Sequence, residues 1–156
     1  MSDNSIITVV EHEDYINQFA GTQFGKGKRC DYMMFDEVTH GKIMFCDLGC
    51  YSEKYVEKKQ RESHQQVCDS LSRFILKQCG KDFIDQFAEK ILIFGRRDPA
   101  INTDVPPVPS KGDVKNNMLA FLTTPLSKSK IVESKETVEG TDVSFLIVNY
   151  PETYKW

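Results

Sequence analysis

Two aspartates are the residues best placed by type and spacing to do chemistry together. Asp31 lies near the start of the apolar run Arg29-Cys-Asp-Tyr-Met-Met-Phe35, and Asp47 near the end of the next, Lys42-Ile-Met-Phe-Cys-Asp-Leu48. Between them, Asp36-Glu-Val-Thr-His-Gly41 has the composition of a hairpin turn. Adjacent antiparallel strands bring such carboxylates within a few ångströms of each other. Hard oxygen donors at that separation are what Mg²⁺ requires, and an ion held there can activate water and stabilise phosphoryl charge in phosphodiester hydrolysis. Strand-end aspartates also satisfy turns, so spacing alone leaves a structural role open.

Other catalytic patterns are weak. The chain has no GxGxxG, GxxxxGK, HExxH or GxSxG motif. Gly25-Lys-Gly-Lys28 is basic and glycine-rich, but it precedes a strand instead of opening a helix. Five cysteines, Cys30, Cys46, Cys50, Cys68 and Cys79, form an odd set, and with no stretch that reads as a secretory signal reduced thiols are expected. Cys46 and Cys50 lack a second close pair, and His40 and His64 stand at unhelpful spacings for zinc. Cys50 with His64 or His12 is the remaining nucleophile arrangement, with nothing to mark an oxyanion hole or a group orienting the base.

Charge narrows the partners. Lys and Arg number 20 against 23 Asp and Glu, a formal charge of −3, so no broad cationic surface can wrap nucleic acid. Residues 26–61 hold eight basic and six acidic residues, a local +2, whereas residues 1–25 hold four acids and no Lys or Arg. Lys28 and Arg29 beside the first aspartate, and Arg96-Arg97 farther on, are the candidate phosphate contacts, since guanidinium groups give bidentate bonds. A surface pair or a salt bridge to Asp98 is the blander role for the two later arginines. No apolar run approaches the ~20 residues that span a bilayer. The first residues lack a basic segment followed by an apolar one. A cytoplasmic protein with no membrane partner is expected.

These residues need a frame. The 156 residues, 40% hydrophobic and 11% aromatic, fit a single domain, residues 1–156. Ser52 is placed to N-cap a long helix over 52–78, with Val56, Gln60, Ser63, Val67, Leu71, Phe74 and Ile75 on one face and Gly80 as its stop. The first half of that stripe is polar and can overlook a wet site. Phe83, Ile84 and Phe87 suggest a short helix, and 90–94 a buried strand. A proline-rich loop covers 96–112, residues 114–122 are ambiguous, and a C-terminal β-rich extension over 113–156 carries strands at 131–136 and 141–149 around Glu139-Gly140. Residues 5–10 suit either a strand or the start of a helix running through Tyr15, Ile16 and Phe19. The order predicts an α+β (mixed α/β) domain with a central mixed sheet.

Arg29-Cys-Asp-Tyr-Met-Met-Phe-Asp36, Lys42-Ile-Met-Phe-Cys-Asp-Leu-Gly49 and the helical His64-Gln-Gln-Val-Cys-Asp-Ser-Leu71 together resemble the core of the PD-(D/E)XK, restriction-endonuclease-like nucleases. The resemblance implies a restriction-endonuclease-like core over about residues 11–95. It makes Asp31 the first acid, Asp47 the second and Gln66-Val67 the helical Gln pair, with Glu11 or Glu13 as the acid of the first helix. It further implies Mg²⁺ held by Asp31, Asp47 and Glu13. The lysine of the motif, two residues after the second acid, is replaced here by Gly49. Losing that cation costs on the order of 10² to 10³ in rate. Some members carry the lysine elsewhere, and Lys54, Lys58 or Lys28 have stems long enough to reach back. Alternatively, Lys54, Lys58, Lys59 and Arg61 form a solvated basic helix face.

Two classes of function follow. One is a nuclease-fold protein associated with nucleic acid, hydrolysing phosphodiesters with Mg²⁺ only where a displaced lysine completes the site. The other is a catalytically silent interaction or regulatory module with a protein partner, which Gly49 and the acidic balance favour.

Overall fold

The turn between the two aspartate-bearing runs is built by its own side chains. Asp36 accepts from the backbone N–H of Val38 and of Thr39 through Oδ1, at 2.9 and 3.0 Å, and from the Thr39 hydroxyl through Oδ2. Those bonds, the Thr39 hydroxyl first, hold its carboxyl down at about 2. His40 takes a left-handed φ of 50° and returns the chain into the next strand. The computed structural model describes residues 5–77, 80–97, 131–149 and 154–156.

Among these residues the chain runs β1 (Ile7–Glu11), α1 (His12–Asn17), β2 (Tyr32–Asp36), β3 (Lys42–Cys50), a 3₁₀ turn (Glu53–Tyr55), α2 (Val56–Leu76), α3 (Gly80–Asp85), β4 (Glu89–Arg97), β5 (Val132–Val138) and β6 (Thr141–Asn149). The strands form one six-stranded mixed sheet in the order β1-β2-β3-β4-β6-β5. The β1/β2, β2/β3 and β5/β6 pairs are antiparallel, and β3/β4 and β4/β6 are parallel. A parallel neighbour needs a crossover, which α2 and α3 supply between β3 and β4. The predicted mixed sheet with the 29–48 hairpin inside it is therefore the architecture observed.

Both faces of the interior strands are apolar, as parallel strands require. Ile43, Phe45, Leu92, Phe94 and Phe145 pack with Val67, Leu71, Phe74 and Ile75 of α2 in one core. Met44, Cys46, Ile91, Ile93, Leu146 and Val148 form a second on the other face. The edge strand β5 is mostly exposed, and its Glu133 and Lys135 pair at 2.8 Å, charges that discourage pairing with another chain.

Several boundaries differ from the sequence reading. Within residues 5–10 the strand alternative holds, as β1 from Ile7, and the helix begins only at His12 and ends at Asn17. The first run contributes a strand only from Tyr32, because residues 26–30 bond to side chains of α2 instead of to a neighbouring strand. Ser52 precedes the 3₁₀ turn and accepts the Tyr55 N–H with its carbonyl, so the helix proper starts at Val56 without a side-chain cap. Gly80 opens α3 instead of closing α2: a Cβ there would lie 2.0 Å from the Phe74 carbonyl oxygen, so glycine permits the close approach of the two helices. Strand β4 runs on through Arg97, past the expected start of the proline loop. Residues 98–112 and 114–122 lie outside the described residues. The two-residue turn Glu139-Gly140 has positive φ at both positions, the geometry that joins tightly twisted strands, and it pairs Val138 with Thr141 as anticipated.

Candidate functional site

The hairpin register decides where the two aspartates fall. Tyr32 opposes Cys46 and Met33 opposes Phe45, so the next step of the same register sets Asp31 across from Asp47. Met33 and Phe45 face α2, and by the period of two Asp31 and Asp47 share that side. Asp31 Oδ2 accepts the Leu48 backbone N–H at 2.7 Å, which fixes its carboxylate against the end of β3.

Helix α2 completes the frame through residues at helical spacing. Gln66 Nε2 donates to Asp47 Oδ1 and to the Arg29 carbonyl, both at 3.0 Å. Asp69 Oδ2 accepts the Lys28 N–H at 3.3 Å, Ser70 Oγ accepts the Cys30 N–H at 2.9 Å, and Arg73 Nη2 donates to the Lys26 and Lys28 carbonyls at 3.0 and 2.8 Å. Residues 26–30 have no ladder partner, so these side chains satisfy their backbone groups and set the height at which Asp31 enters the sheet. Arg73, 1% exposed, gives its other terminal nitrogen to His12 Nε2 at 3.2 Å. That imidazole is therefore an acceptor, and burial, then the guanidinium of Arg73, push its pKa down to about 4.

Asp47 is 4% exposed, and its carboxyl is pushed up to about 6. Burial is the main cause and the neighbouring Asp31 charge the smaller one; the Ser63 hydroxyl acts in the opposite direction, although it makes no hydrogen bond of normal geometry. Like-charge repulsion between the two acids thus contributes, but desolvation outweighs it.

A groove along this edge is lined by Glu13, Lys28, Arg29, Asp31, Glu62 and Gln66, and a second, beside it, by Glu11, Glu13, Asp14 and Asp31. Glu13 of α1 therefore lies with the aspartate, as the resemblance implies, and Glu11 lies in the adjoining groove. Asp31 commits Oδ2 and Asp47 commits Oδ1 to the fold, so each keeps an oxygen for a ligand. Asp47, almost fully buried, borders neither groove, and the donor atoms of Asp31, Asp47 and Glu13 do not all lie within 4.8 Å of one another, so a cation on all three would have to draw them together.

Other expected residues fall elsewhere. Lys54 lies over the Tyr55 ring at 5.5 Å, and Lys58, largely exposed, pairs with Glu62 at 3.8 Å. Lys28 is exposed on the groove. The Arg29 guanidinium serves the fold, bonding Asn17 Oδ1 and, at 2.9 Å, the Gly25 carbonyl. Arg96 donates to the Tyr51 carbonyl at 3.2 Å, and both Arg96 and Arg97 border an apolar groove with Met44, Cys46 and Ile93.

Position 49 has a steric explanation. A Cβ on Gly49 would lie 1.9 Å from Tyr51 Cε2, so the Tyr51 ring fills the space a motif lysine would enter. Lys59 Nζ lies over that same ring, 5.1 Å from its centroid, and bonds Glu62 on the groove at 2.8 Å. Sequence reasoning had grouped Lys59 with the solvated basic face; only its spacing of three from Glu62 signalled otherwise.

Neither Cys/His arrangement that the sequence left open, Cys50 with His64 or with His12, is among the contacts of the described residues. His12 is buried against Arg73, Phe45 and Phe74, and Cys50 is exposed. His64 instead meets Cys68, one turn along α2, and Glu136 of β5, a grouping that the separation in sequence concealed. No helix among the described residues is long and apolar enough to cross a membrane. The chain matches no protein-family model, and no curated protein or solved structure is significantly similar to it.

Proposed function

We propose that the chain is a nuclease-fold protein that takes a divalent cation such as Mg²⁺ on Asp31, Asp47 and Glu13 and presents it to a nucleic-acid phosphate. The observation that carries this reading is the Gln66 amide bonded at once to Asp47 and to the carbonyl two residues before Asp31. It ties both acid-bearing strands to one helix position, an investment that a pair of turn-satisfying aspartates does not need. The ion, when bound, would supply Lewis-acid stabilisation and a more acidic water. The chain's own groups would do the rest: Gln66 orients Asp47, the Leu48 N–H orients Asp31, and Lys28 on the groove attracts the phosphate.

Hydrolysis itself is expected to be slow, because Tyr51 occupies the space beside Gly49. That same observation favours the second reading, a catalytically silent module that binds nucleic acid or a protein through this edge. The four described cysteines are free thiols, in keeping with a cytoplasmic setting.

Calorimetric titration with Mg²⁺ and Mn²⁺, followed by cleavage assays on single- and double-stranded DNA and RNA, tests both readings. Metal binding lost in Asp31→Asn, with metal-dependent cleavage, supports the first. Metal or nucleic-acid binding without cleavage supports the second. No binding of any of these would overturn the metal-site reading.

A further inference from the structure

We propose that His64 and Cys68 of α2 and Glu136 of β5 form a zinc site, separate from the aspartate pair and independent of the reading above. One donor atom from each lies within 4.8 Å of the others. His64 and Cys68, four residues apart, stand one above the other on the helix, and the edge strand supplies the third donor across the gap. Imidazole and thiolate are zinc ligands, and neither suits Mg²⁺.

A tetrahedral zinc ion with bonds of about 2.0 to 2.3 Å sets its donors roughly 3.3 to 3.7 Å apart. His64 Nε2 is 3.7 Å from Cys68 Sγ, already at that spacing. His64 Nε2 and Glu136 Oε2 are 2.6 Å apart, sharing a hydrogen bond. The ion takes the place of that hydrogen, and the two atoms need to part by only about 0.7 Å. The Phe145 ring, 4.8 Å from the imidazole in a T-shaped contact, limits how far His64 can turn away. Three protein ligands leave a fourth position facing a groove of about 450 Å³ lined by Gln60, Arg61, Gln65 and Ser134.

The same three residues have the order of a thiol nucleophile, a base and its orienter. Burial, then the charges of Glu136 and Asp69, push the Cys68 thiol up to about 11, however, which makes it a poor nucleophile. A bound cation deprotonates a coordinating thiol outright. The consequence for the fold is specific: zinc would tie the exposed edge strand β5 to the central helix.

The test uses the full chain, stripped with a chelator and titrated with Co²⁺ alone and then with Zn²⁺ in competition. One thiolate-bound ion per chain is expected, read from a thiolate-to-cobalt charge-transfer band in the near ultraviolet that cobalt on carboxylates alone does not give. Cys68→Ser should abolish the band, Glu136→Gln should weaken binding of zinc at this site at least tenfold, and Cys50→Ser should leave both unchanged. Zinc should raise the melting temperature of the parent chain and not that of Glu136→Gln, a variant on an exposed strand that keeps the fold even where Cys68→Ser does not. A cobalt spectrum without the thiolate band, or equal zinc affinity in the parent and Glu136→Gln, would overturn the proposal.

Discussion

The Gln66 amide nitrogen donates to the Asp47 carboxylate at 3.0 Å from the middle of α2, at a point where Asp47 is almost fully removed from water. A buried carboxylate that loses a donor bears the full cost of its desolvation. Gln66→Ala is therefore expected to lower stability by about 1 to 3 kcal/mol at pH 7.5. It should also raise the Asp47 pKa further. Urea denaturation of the variant, with the carboxyl carbon of Asp47 followed by NMR, checks both; an unchanged Asp47 titration would mean that Gln66 does not support the charge.

Gly49 and Tyr51 make a second coupled pair. Placing a Cβ 1.9 Å from the Tyr51 ring requires the ring to move. Gly49→Lys alone should thus cost about 1 to 3 kcal/mol, the usual penalty of overpacking. In Gly49→Lys with Tyr51→Ala the ring is gone, and the loss should be smaller than the sum of the single changes. If the aspartates bind metal, the double variant should also cleave nucleic acid faster than the parent. A double-mutant cycle by thermal melting, with the cleavage assay run on all four proteins, separates the steric claim from the catalytic one.

The elements were legible wherever one period dominated. The apolar runs around Met33 and Phe45 alternate about a turn that Asp36 and Thr39 build locally, and the stripe through Val67, Leu71 and Phe74 marks a buried helix face. Asp31 and Asp47 could be grouped because the hairpin register is a short-range fact, whereas Gln66 entered only through the resemblance to the nuclease motif. Arg73 could not be read this way. A basic residue in the greasy half of α2 signals solvent, yet its partners are carbonyls of residues 26 and 28, more than forty positions away. His64, Cys68 and Glu136 were hidden for the same reason, since β5 reaches the helix only after β4 and β6 have paired. Gly49 was legible as a departure from the motif, and its cause, the Tyr51 ring, was not.

Arg73 gives the next prediction. Its guanidinium spans the Lys26 and Lys28 carbonyls and His12 Nε2, acceptors that a lysine ammonium cannot reach together. Arg73→Lys is expected to cost at least about 3 kcal/mol, since hydrogen bonds from a charged donor are worth roughly 1.5 to 3 each. The loss should be local first. Amide exchange should quicken at Lys28 and Cys30 before the sheet opens and, if the aspartates hold a metal, its affinity should fall as well. Uniform exchange across the sheet would place the role of Arg73 in global packing instead.

Asp47 and His12 should oppose each other in acid. The Asp47 carboxyl sits at about 6 against an ordinary 3.8, so between those values the folded chain binds the extra proton and stability rises as pH falls. The His12 imidazole sits at about 4 against an ordinary 6.5, so there the unfolded chain binds the extra proton and stability falls as pH falls. Each effect amounts to about 3 kcal/mol over its window, and the windows overlap between pH 4 and 6. The parent chain should therefore show a nearly flat stability profile from pH 6 down to about 4.5, above the range in which Asp36 begins to protonate. Asp47→Asn keeps an acceptor for Gln66 and removes one slope, so its stability should fall steadily on acidification from pH 6.5. His12→Gln removes the other, and its stability should rise from pH 6 to 4.5. Denaturant midpoints at half-unit pH steps for the three proteins decide the matter: parallel profiles would show that neither buried group titrates with folding, and slopes of the same sign in both variants would contradict the assignment of Asp47 as the raised acid and His12 as the lowered base.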